Sequence, residues 1–378
     1  MASNKEASNY SAFIGLDVHK ETIAVAIADP ERGAEVRFYG NINNCTDSIK
    51  RTFSKILKTY PSPLVCYEAG PCGYVVYRLL TQLEIECEVV APSRMIRSPT
   101  DRIKNDHRDA VALAKLLRAG DLVSVWVPDE SHEAMRDLIR ARSASKKDSK
   151  IARQRIQSLL LRAGRIYGKK SWTKNHRIWL ANQTFSCGSQ QIAFQHYIQA
   201  LEQAECRTQQ LEQEITCLLE TWSLRDIVIQ LQALKGVATI IAVTVVAVIG
   251  DFARFDNPKQ VMAYLGLIPG EYSSGSKTRS RGITKVGNKE VRRLLYEAAW
   301  SYRSNAKVGS WMLVHRPAEV TQASKDIAWK AQQRLCFRYR SLAAKGKKSQ
   351  VSITAVAREL IGFMWHIGRT HRQNYIAV

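Results

Sequence analysis

The order of strand-like and helix-like segments in residues 12–128 constrains the fold more than any other feature of the sequence. Three strand-like runs come first, "AFIGLDV", "TIAVAIAD" and "EVRFYG". Helical spacing of apolar residues follows in "TDSIKRTFSKILKTY". Two more strand–helix steps complete the segment, "PLVCYEAG" with "YVVYRLLTQL" and "ECEVVAP" with "NDHRDAVALAKLLRAG". This succession predicts a mixed α/β domain.

The same succession is the element order of an RNase H-like domain, and it gives four carboxylates a common location. Asp17 ends the first strand and Glu68 ends the fourth, while Asp106 and Asp109 lie one helical turn apart in the last helix. In the RNase H topology these positions converge at one edge of the sheet. Gathered carboxylates repel one another unless they bind hard cations, and Mg²⁺ prefers oxygen ligands. We therefore expect a metal site for phosphodiester chemistry, with unrelated surface acids as the alternative.

Two histidines lie beside these acids in the sequence. His19 follows the first strand and His107 stands between the two aspartates of the last helix. We expect both to be neighbours of the site or nucleic-acid contacts rather than metal ligands.

Positive charge is concentrated in the middle of the chain. The protein carries 56 Lys and Arg against 34 Asp and Glu, a formal net charge of +22. Residues 131–177 contain 14 of these cations and 3 acids, and the apolar residues among them have helical spacing. Such a cluster favours a polyanionic partner, because neutralised phosphates release condensed counterions. The candidate nucleic-acid contacts in this segment are Lys146, Lys147, Arg153 and Arg155; the alternative is a basic protein that is merely soluble.

An apolar seam with alternating spacings of three and four residues runs through 194–222. Its members are Phe194, Tyr197, Leu201, Ala204, Thr208, Leu211, Ile215, Leu218 and Trp222. The spacing predicts an antiparallel or intermolecular coiled coil, or else one amphipathic helix packed on its own domain.

A Ser- and Gly-rich basic stretch, "EYSSGSKTRSRGITKVGN", ends where the helix "NKEVRRLLYEAAWSYR" begins. Its composition predicts a loop that contacts phosphate, a linker, or a loop with a serine nucleophile at Ser274, Ser273 or Ser276. The candidate phosphate contacts are Lys277, Arg279, Arg281 and Lys285. Lys289, Arg292 and Arg293 on the next helix are expected either to touch phosphate or to be solvated.

The segments "GLDVHK", "CYEAGPCGY", "NDHRDAVALAKLLRAG", "AYLGLIPGEYSSG" and "GITKVGN" together resemble the DEDD transposases of the insertion sequence 110 family, 1111 subgroup, to which the Piv invertase is related. The resemblance runs from about residue 12 to 368. It implies a RuvC-like domain in which Asp17, Glu68, Asp106 and Asp109 bind Mg²⁺, or Mn²⁺ in its place. It also implies that Ser274 is a covalent nucleophile for DNA.

The resemblance further implies a bridge RNA that pairs with donor and target DNA, and a tetramer built as a dimer of dimers with the heptad seam as its contact. It implies a composite active site in which the serine loop of one copy meets the acids of a neighbouring copy. "LQALKGVATIIAV" resembles a helix-hairpin-helix, with Ala238 where a glycine is usual.

The expected organisation has four parts: a disordered N-terminus (1–11), a RuvC-like domain (12–128), a basic helical and coiled-coil domain (129–225), and a mainly helical transposase domain with the serine loop (226–378). Eight scattered cysteines without a C-x-x-C pair favour a reduced setting, and the N-terminus shows no secretory signal. We therefore expect a bacterial cytoplasmic, nucleoid-associated protein without membrane contact. Two alternatives stay open: a junction nuclease that uses water, and a non-catalytic nucleic-acid-binding protein.

Overall fold

A computed structural model describes residues 10–31, 33–91, 105–274 and 277–371, without the side chains of residues 271–281 and Trp311. The chain forms two compact units, Met1–Val127 and Pro128–Val378. Within the described residues, no helix has both the length and the apolar character needed to cross a membrane.

The first unit is a five-stranded sheet with helices on both faces. Its elements in chain order are β1 (Ala12–Val18), β2 (Thr22–Ala28), β3 (Val36–Asn43), α1 (Thr46–Thr59), β4 (Pro63–Glu68), α2 (Val75–Gln82), β5 (Glu86–Val90) and α3 (Asp106–Ala119). The strand order is β3-β2-β1-β4-β5. The first three strands pair antiparallel, and β4 and β5 continue the sheet in parallel with β1. The predicted mixed α/β domain is confirmed, and this order is consistent with an RNase H-like domain.

Alternating side chains of β1 and β4 divide the core of this unit into two layers. Ile14, Leu16, Val65 and Tyr67 pack with α1 and α2 on one face. On the other face, Phe13 and Cys66 pack with α3. Asp17 follows the alternation of the α3 face, and so does Glu68.

The start of the described chain is tied to this sheet. The Ser11 amide donates to the carbonyl of Ser62 at 2.9 Å, and the Tyr10 hydroxyl donates to Glu86 Oε2 at 2.7 Å. These two bonds join Tyr10 to β5 and Ser11 to the residue before β4. Residues 1–9 lie outside the described part.

The second unit is mainly helical. Its elements are α4 (Glu130–Arg162), α5 (Lys174–Ala181), α6 (Gly188–Leu219), α7 (Arg225–Leu231), α8 (Thr239–Ile249), α9 (Pro258–Tyr264), β6 (Pro269–Ser274), β7 (Lys277–Ile283), α10 (Lys289–Ala299), α11 (Ser310–His315), α12 (Gln322–Ala344) and α13 (Ser349–Thr370), with 3₁₀ turns at Phe252–Arg254 and Trp300–Arg303.

The heptad seam of α6 packs against α4 of the same chain. The pair is antiparallel, since Arg142 bonds Glu212 at 2.6 Å whereas Arg153, further along α4, bonds the earlier Glu205 at 2.7 Å. Buried seam positions include Leu201, Ala204, Thr208 and Ile215. Leu218 is exposed, and Leu219 is buried in its place. The buried seam positions are therefore covered within the chain and unavailable for a contact between copies, which corrects the expectation that the seam joins the oligomer.

The predicted domain boundary between residues 225 and 226 lies within one continuous apolar core. Met135 and Ile139 of α4, and Ile215 and Leu219 of α6, belong to the same apolar cluster as α8, α10, α12 and α13. The apolar run at 237–249 forms α8, of which Ala242–Ala247 are buried. Between α7 and α8, Gly236 has a φ of +80°, and a Cβ built there would stand 2.7 Å from the carbonyl oxygen of Ala298. This turn is thus packed against its own chain.

Candidate active site

Asp17 and Glu68 lie side by side at one edge of the sheet. Strands β1 and β4 are parallel neighbours with Leu16 opposite Tyr67, so the next residue of each strand is the carboxylate. Both follow the strand alternation of the α3 face. The predicted convergence of these two strand ends follows from the pairing alone.

Helix α3 brings Asp106 and Asp109 to the same face. The helix begins with these residues in its first turn, and the Asn105 side chain accepts a hydrogen bond from the Arg108 amide as its N-cap. Its close approach to the sheet depends on Gly15: a Cβ there would stand 2.3 Å from Ala110 O and 2.5 Å from Ala114 N. Small residues of β2, Ala24, Ala26 and Ala28, line the same layer. Gly15, two residues before Asp17, is the sequence feature from which this close packing could be predicted.

His19 links two of the acids. Its Nε2 lies 3.2 Å from Asp17 Oδ2 and 3.4 Å from Asp106 Oδ1. Among the described residues, Asp17, His19 and Asp106 form a group whose donor atoms lie within 4.8 Å of one another. The donor atoms of Glu68 and Asp109 stand outside that group. His19 therefore lies where it could act as a metal ligand, whereas the sequence predicts carboxylate ligands alone.

The electrostatics of the group centre on Asp17. Burial raises the pKa of the Asp17 carboxyl above its usual value, His19 opposes the rise, and the charges of Asp109 and Asp106 add to it. Asp109 therefore acts on Asp17 through charge although its oxygens lie outside the closest group. His107 does not take part in these contacts: its ring meets the edge of Phe38 with centroids 4.3 Å apart.

Most of the predicted serine loop is a β-hairpin. Strands β6 and β7 pair antiparallel, with Ser273 opposite Thr278 and Ser274 opposite Lys277. Ser274 is thus the last residue of its strand. Gly275 and Ser276 lie outside the described residues, as do the side chains of Ser274, Lys277, Arg279 and Arg281. A Gly-Ser pair between two strand-like runs is a sequence signal for a hairpin.

The foot of this hairpin is locked by two glycines. The φ of Gly266 is +64°, and a Cβ on it would stand 2.2 Å from Val286 O. The φ of Gly287 is +74°, and a Cβ there would stand 2.1 Å from Tyr264 O. Between them, the Lys285 amide donates to Gly266 O at 3.0 Å. The motifs "YLGLI" and "TKVG" therefore lie backbone against backbone, with no room for side chains at either glycine.

Arg292 closes the same junction. Its Nη1 lies 3.0 Å from Leu265 O, 2.5 Å from Val286 O and 3.0 Å from Gly287 O. Burial lowers the pKa of this guanidinium. Arg293 instead pairs with Glu290 and Glu297 on its own helix. Both arginines are thus engaged within the chain, although Arg293 is exposed, as are Lys285 and Lys289.

The basic residues predicted on α4 divide into two kinds. Lys146, Lys147 and Arg155 are exposed. Arg153 is half-buried: it bonds Glu205, and its guanidinium lies 5.1 Å from the centroid of Trp172. Arg153 therefore joins α4 to α6, and all four residues remain predicted nucleic-acid contacts.

Comparison with known proteins matches both candidate regions. The IS110-type DEDD transposase family matches residues 14–164, and the family described as "Transposase IS116/IS110/IS902 family" matches residues 229–312. The chain is 47% identical to the y4qE protein of Sinorhizobium fredii, named as a transposase, over 96% of this chain and 90% of that protein.

Two further relatives are transposases of named insertion sequences. The chain is 31% identical to the transposase for insertion sequence element IS1533 of Leptospira borgpetersenii, over 89% of this chain and 98% of the relative. It is 24% identical to the transposase for IS1111A of Coxiella burnetii, over 59% and 61%. The chain therefore belongs to the IS110/IS116/IS902 family of insertion-sequence DNA transposases.

Proposed function

We propose that this transposase cuts and rejoins DNA through a covalent phosphoserine on Ser274, with the acids of the first unit acting on the same phosphodiester. The observation that carries the proposal is the gathering of Asp17 and Asp106 around His19, with the charge of Asp109 acting on Asp17. Carboxylates held this closely can bind a cation, and the bound cation can in turn hold the phosphates of a polyanionic substrate.

The donor set fits a divalent cation. Burial raises the pKa of Asp17 and the charges of Asp109 and Asp106 add to the rise, so a bound cation would stabilise the charged carboxylate. Asp17, Glu68, Asp106 and Asp109 would hold Mg²⁺, and Mn²⁺ would be accepted, since both prefer oxygen ligands. When bound, the metal would polarise the phosphate and stabilise the attacking and leaving oxygens.

The cutting step is a transesterification. The Oγ of Ser274 attacks the phosphorus, the Oγ–P bond forms, and the P–O bond to the adjoining sugar breaks. The serine proton passes to a carboxylate of the acidic group, and the leaving oxygen takes a proton from water. In rejoining, a hydroxyl of another strand attacks the phosphorus and gives its proton to a carboxylate of the acidic group, while the P–Oγ bond breaks and the Oγ of Ser274 takes a proton from water. The number of phosphodiester bonds is conserved, so no nucleotide cofactor is required.

A serine hydroxyl needs both activation and a fixed position to act as a nucleophile. The glycine-locked foot of the hairpin and the three carbonyl contacts of Arg292 support a fixed position for the strand that ends at Ser274. Activation would come from the acidic group of the first unit.

We further propose guidance by a bridge RNA and action as a tetramer. Lys146, Lys147 and Arg155 lie exposed on one long helix and suit the phosphates of RNA. Since the buried seam of α6 is covered by α4, the contact between copies would use other surfaces. Light scattering of the purified protein with and without RNA transcribed from the flanking element would give the mass of the complex: a monomer in both samples would contradict the tetramer.

The mechanism is tested by single substitutions in the hairpin. Ser274→Ala should abolish both strand cleavage and the protein–DNA adduct seen on denaturing electrophoresis, while Ser273→Ala and Ser276→Ala, as matched controls, keep both. If Ser274→Ala still cuts DNA and the wild-type protein forms no adduct, the chain is a nuclease that uses water, and the phosphoserine proposal is wrong.

A further inference from the structure

An open groove of about 860 Å³ runs between α9, α12 and α13 in the second unit. Its floor is apolar and aromatic, formed by Met262, Ile268, Phe363 and Trp365. Its rim is basic, formed by Lys259, Lys330, Arg334, Arg358 and His366. The mechanism above makes no use of this groove.

The floor is held in a fixed shape. The Trp365 indole Nε1 donates to the carbonyl oxygen of Phe255 at 3.0 Å, and the Arg369 guanidinium lies 5.3 Å from the centroid of the Trp365 ring. Gly362, in the interior of α13, also lines the groove, and a Cβ there would stand 2.8 Å from Met262 Cε. The lack of a side chain at Gly362 leaves space for the end of the Met262 side chain beside α13.

The charge of the rim is unbalanced in favour of cations. Glu359 is the one acid that lines the groove within the described part of the chain. It is already engaged, with its Oε2 2.9 Å from Arg334 Nε and its Oε1 3.2 Å from Arg338 Nε. Lys259 and Lys330 are exposed on opposite elements, α9 and α12. The groove therefore offers an apolar platform between positive edges.

We propose that this groove binds single-stranded DNA, with an unpaired base against Phe363 and Trp365 and its phosphates on the basic rim. Aromatic platforms flanked by cations suit single strands, because an unpaired base exposes the flat face that a duplex hides in its stack. The volume lies within the range of about 300–1,000 Å³ that encloses small ligands, which admits a nucleotide but not a duplex. DNA is the substrate that the family assigns to this chain, so a strand released by cleavage is the occupant.

The groove also opens at the foot of the hairpin. Ile268 lines the groove, immediately precedes β6, and accepts a hydrogen bond from the Thr284 amide at 3.0 Å. Ser274 lies six residue steps further along the chain, a span of at most about 20 Å at ~3.4 Å per residue. A strand held at the end of the hairpin can therefore reach the groove within a few nucleotides. The proposal does not depend on the phosphoserine, since it concerns binding alone.

The test is binding of fluorescein-labelled oligo(dT), a hairpin duplex of equal length, and the matching RNA, followed by anisotropy at fixed salt. The groove variant is Lys259→Glu with Lys330→Glu; the control is Lys345→Glu with Lys347→Glu, which changes the net charge equally on exposed residues outside the groove. A second variant, Phe363→Leu, removes the aromatic ring and keeps an apolar side chain. Thermal unfolding of each variant confirms that it is folded.

The groove variant and Phe363→Leu should each weaken oligo(dT) binding about fivefold or more relative to the control, the smallest effect expected of one stacked base, with duplex affinity unchanged. Light-induced crosslinking of iododeoxyuridine oligonucleotides to the unmodified protein should label the peptide that contains Phe363 and Trp365. Equal losses for duplex and single strand, losses confined to RNA, or crosslinks confined to other peptides would each overturn the proposal. The crosslink decides the matter even if a variant fails to fold.

Discussion

Gly15 of β1 lies directly against Ala110 of α3, so closely that a Cβ on Gly15 would stand 2.3 Å from the Ala110 carbonyl oxygen. This contact fixes the height of α3 above the sheet. The same strand carries Asp17 two residues later, and the same helix carries Asp106 and Asp109 in its first turn. The separation of the acids is therefore set by a backbone contact that excludes any side chain.

Gly15→Ala should lower the free energy of unfolding by about 1–3 kcal/mol, the usual cost of overpacking a core, and should also lower DNA cleavage. The added methyl group can be accommodated only if α3 moves away from β1. Urea unfolding gives the first quantity. Gly168→Ala is the matched control, because a Cβ there meets nothing within 4 Å. Equal stability of the two variants would show that the Gly15 contact is unimportant.

Mg²⁺ should raise the thermal midpoint of the protein even without DNA. A ligand that binds only the folded state at 100 times its Kd stabilises it by about 2.7 kcal/mol. Asp17→Asn and Asp106→Asn should remove that increase, whereas Asp121→Asn, at an exposed acid outside the cluster, should keep it. Differential scanning fluorimetry with and without Mg²⁺ measures it. An equal increase in all four proteins would place the metal elsewhere.

Arg292→Met should reduce formation of the protein–DNA adduct while leaving the Mg²⁺-dependent midpoint increase intact. The substitution deprives three carbonyl oxygens of a charged donor at the foot of the hairpin, at a cost of roughly 1–3 kcal/mol in stability. Arg293→Met, on the exposed side of the same helix, is the control. Rescue by Arg292→Lys, which restores a charged donor, would support positioning. Adduct yields equal to wild type in Arg292→Met would refute it.

His132 should make the second unit less stable in acid. It is 1% exposed, and its Nε2 lies 2.7 Å from the carbonyl oxygen of Ala247, so it donates while neutral. Burial lowers the pKa of His132 below 6.5. The unfolded chain then takes up a proton that the folded chain resists, so the free energy of unfolding falls as the pH drops below about 6.5.

The slope is measured by urea unfolding between pH 7.5 and 5.5. His132→Gln, which can still donate, should flatten it, by up to about 1.36 kcal/mol for each unit by which the pKa of the buried histidine is lowered. His196→Gln, at an exposed position, should leave it unchanged. Identical slopes in both variants would mean that other groups control the acid sensitivity.

The sheet and its acids were predictable because strand order and strand ends follow from short-range patterns. The pairing of β1 with β4 makes neighbours of Asp17 and Glu68 once Asp17 is placed near the end of β1 and Glu68 at the end of β4. The place of His19 was not predictable in the same way, because its distance to Asp106 depends on how closely α3 approaches the sheet. That approach is possible because Gly15 has no side chain.

The hairpin and the seam show two different limits. The composition of 271–283 predicts a loop, because serine, glycine and lysine have weak strand propensity. In the structure, Tyr272 pairs with Arg279 and Ser273 pairs with Thr278, so the segment forms strands. The heptad spacing at 194–222 correctly marked a packed face, but spacing alone does not say which helix covers it. Here it is α4, through Ser145 bonded to Ala204 at 2.9 Å and Arg142 bonded to Glu212.

Mapping the covalent bond tests the central claim most directly. Wild-type protein is incubated with cleavable DNA and Mg²⁺, quenched in denaturant, digested with nuclease and protease, and examined by tandem mass spectrometry. We predict a nucleotide attached through phosphate to Ser274, absent when Asp109 is replaced by Asn. Cleaved DNA without any nucleotide-bearing peptide, or a nucleotide attached to another residue, would contradict the account.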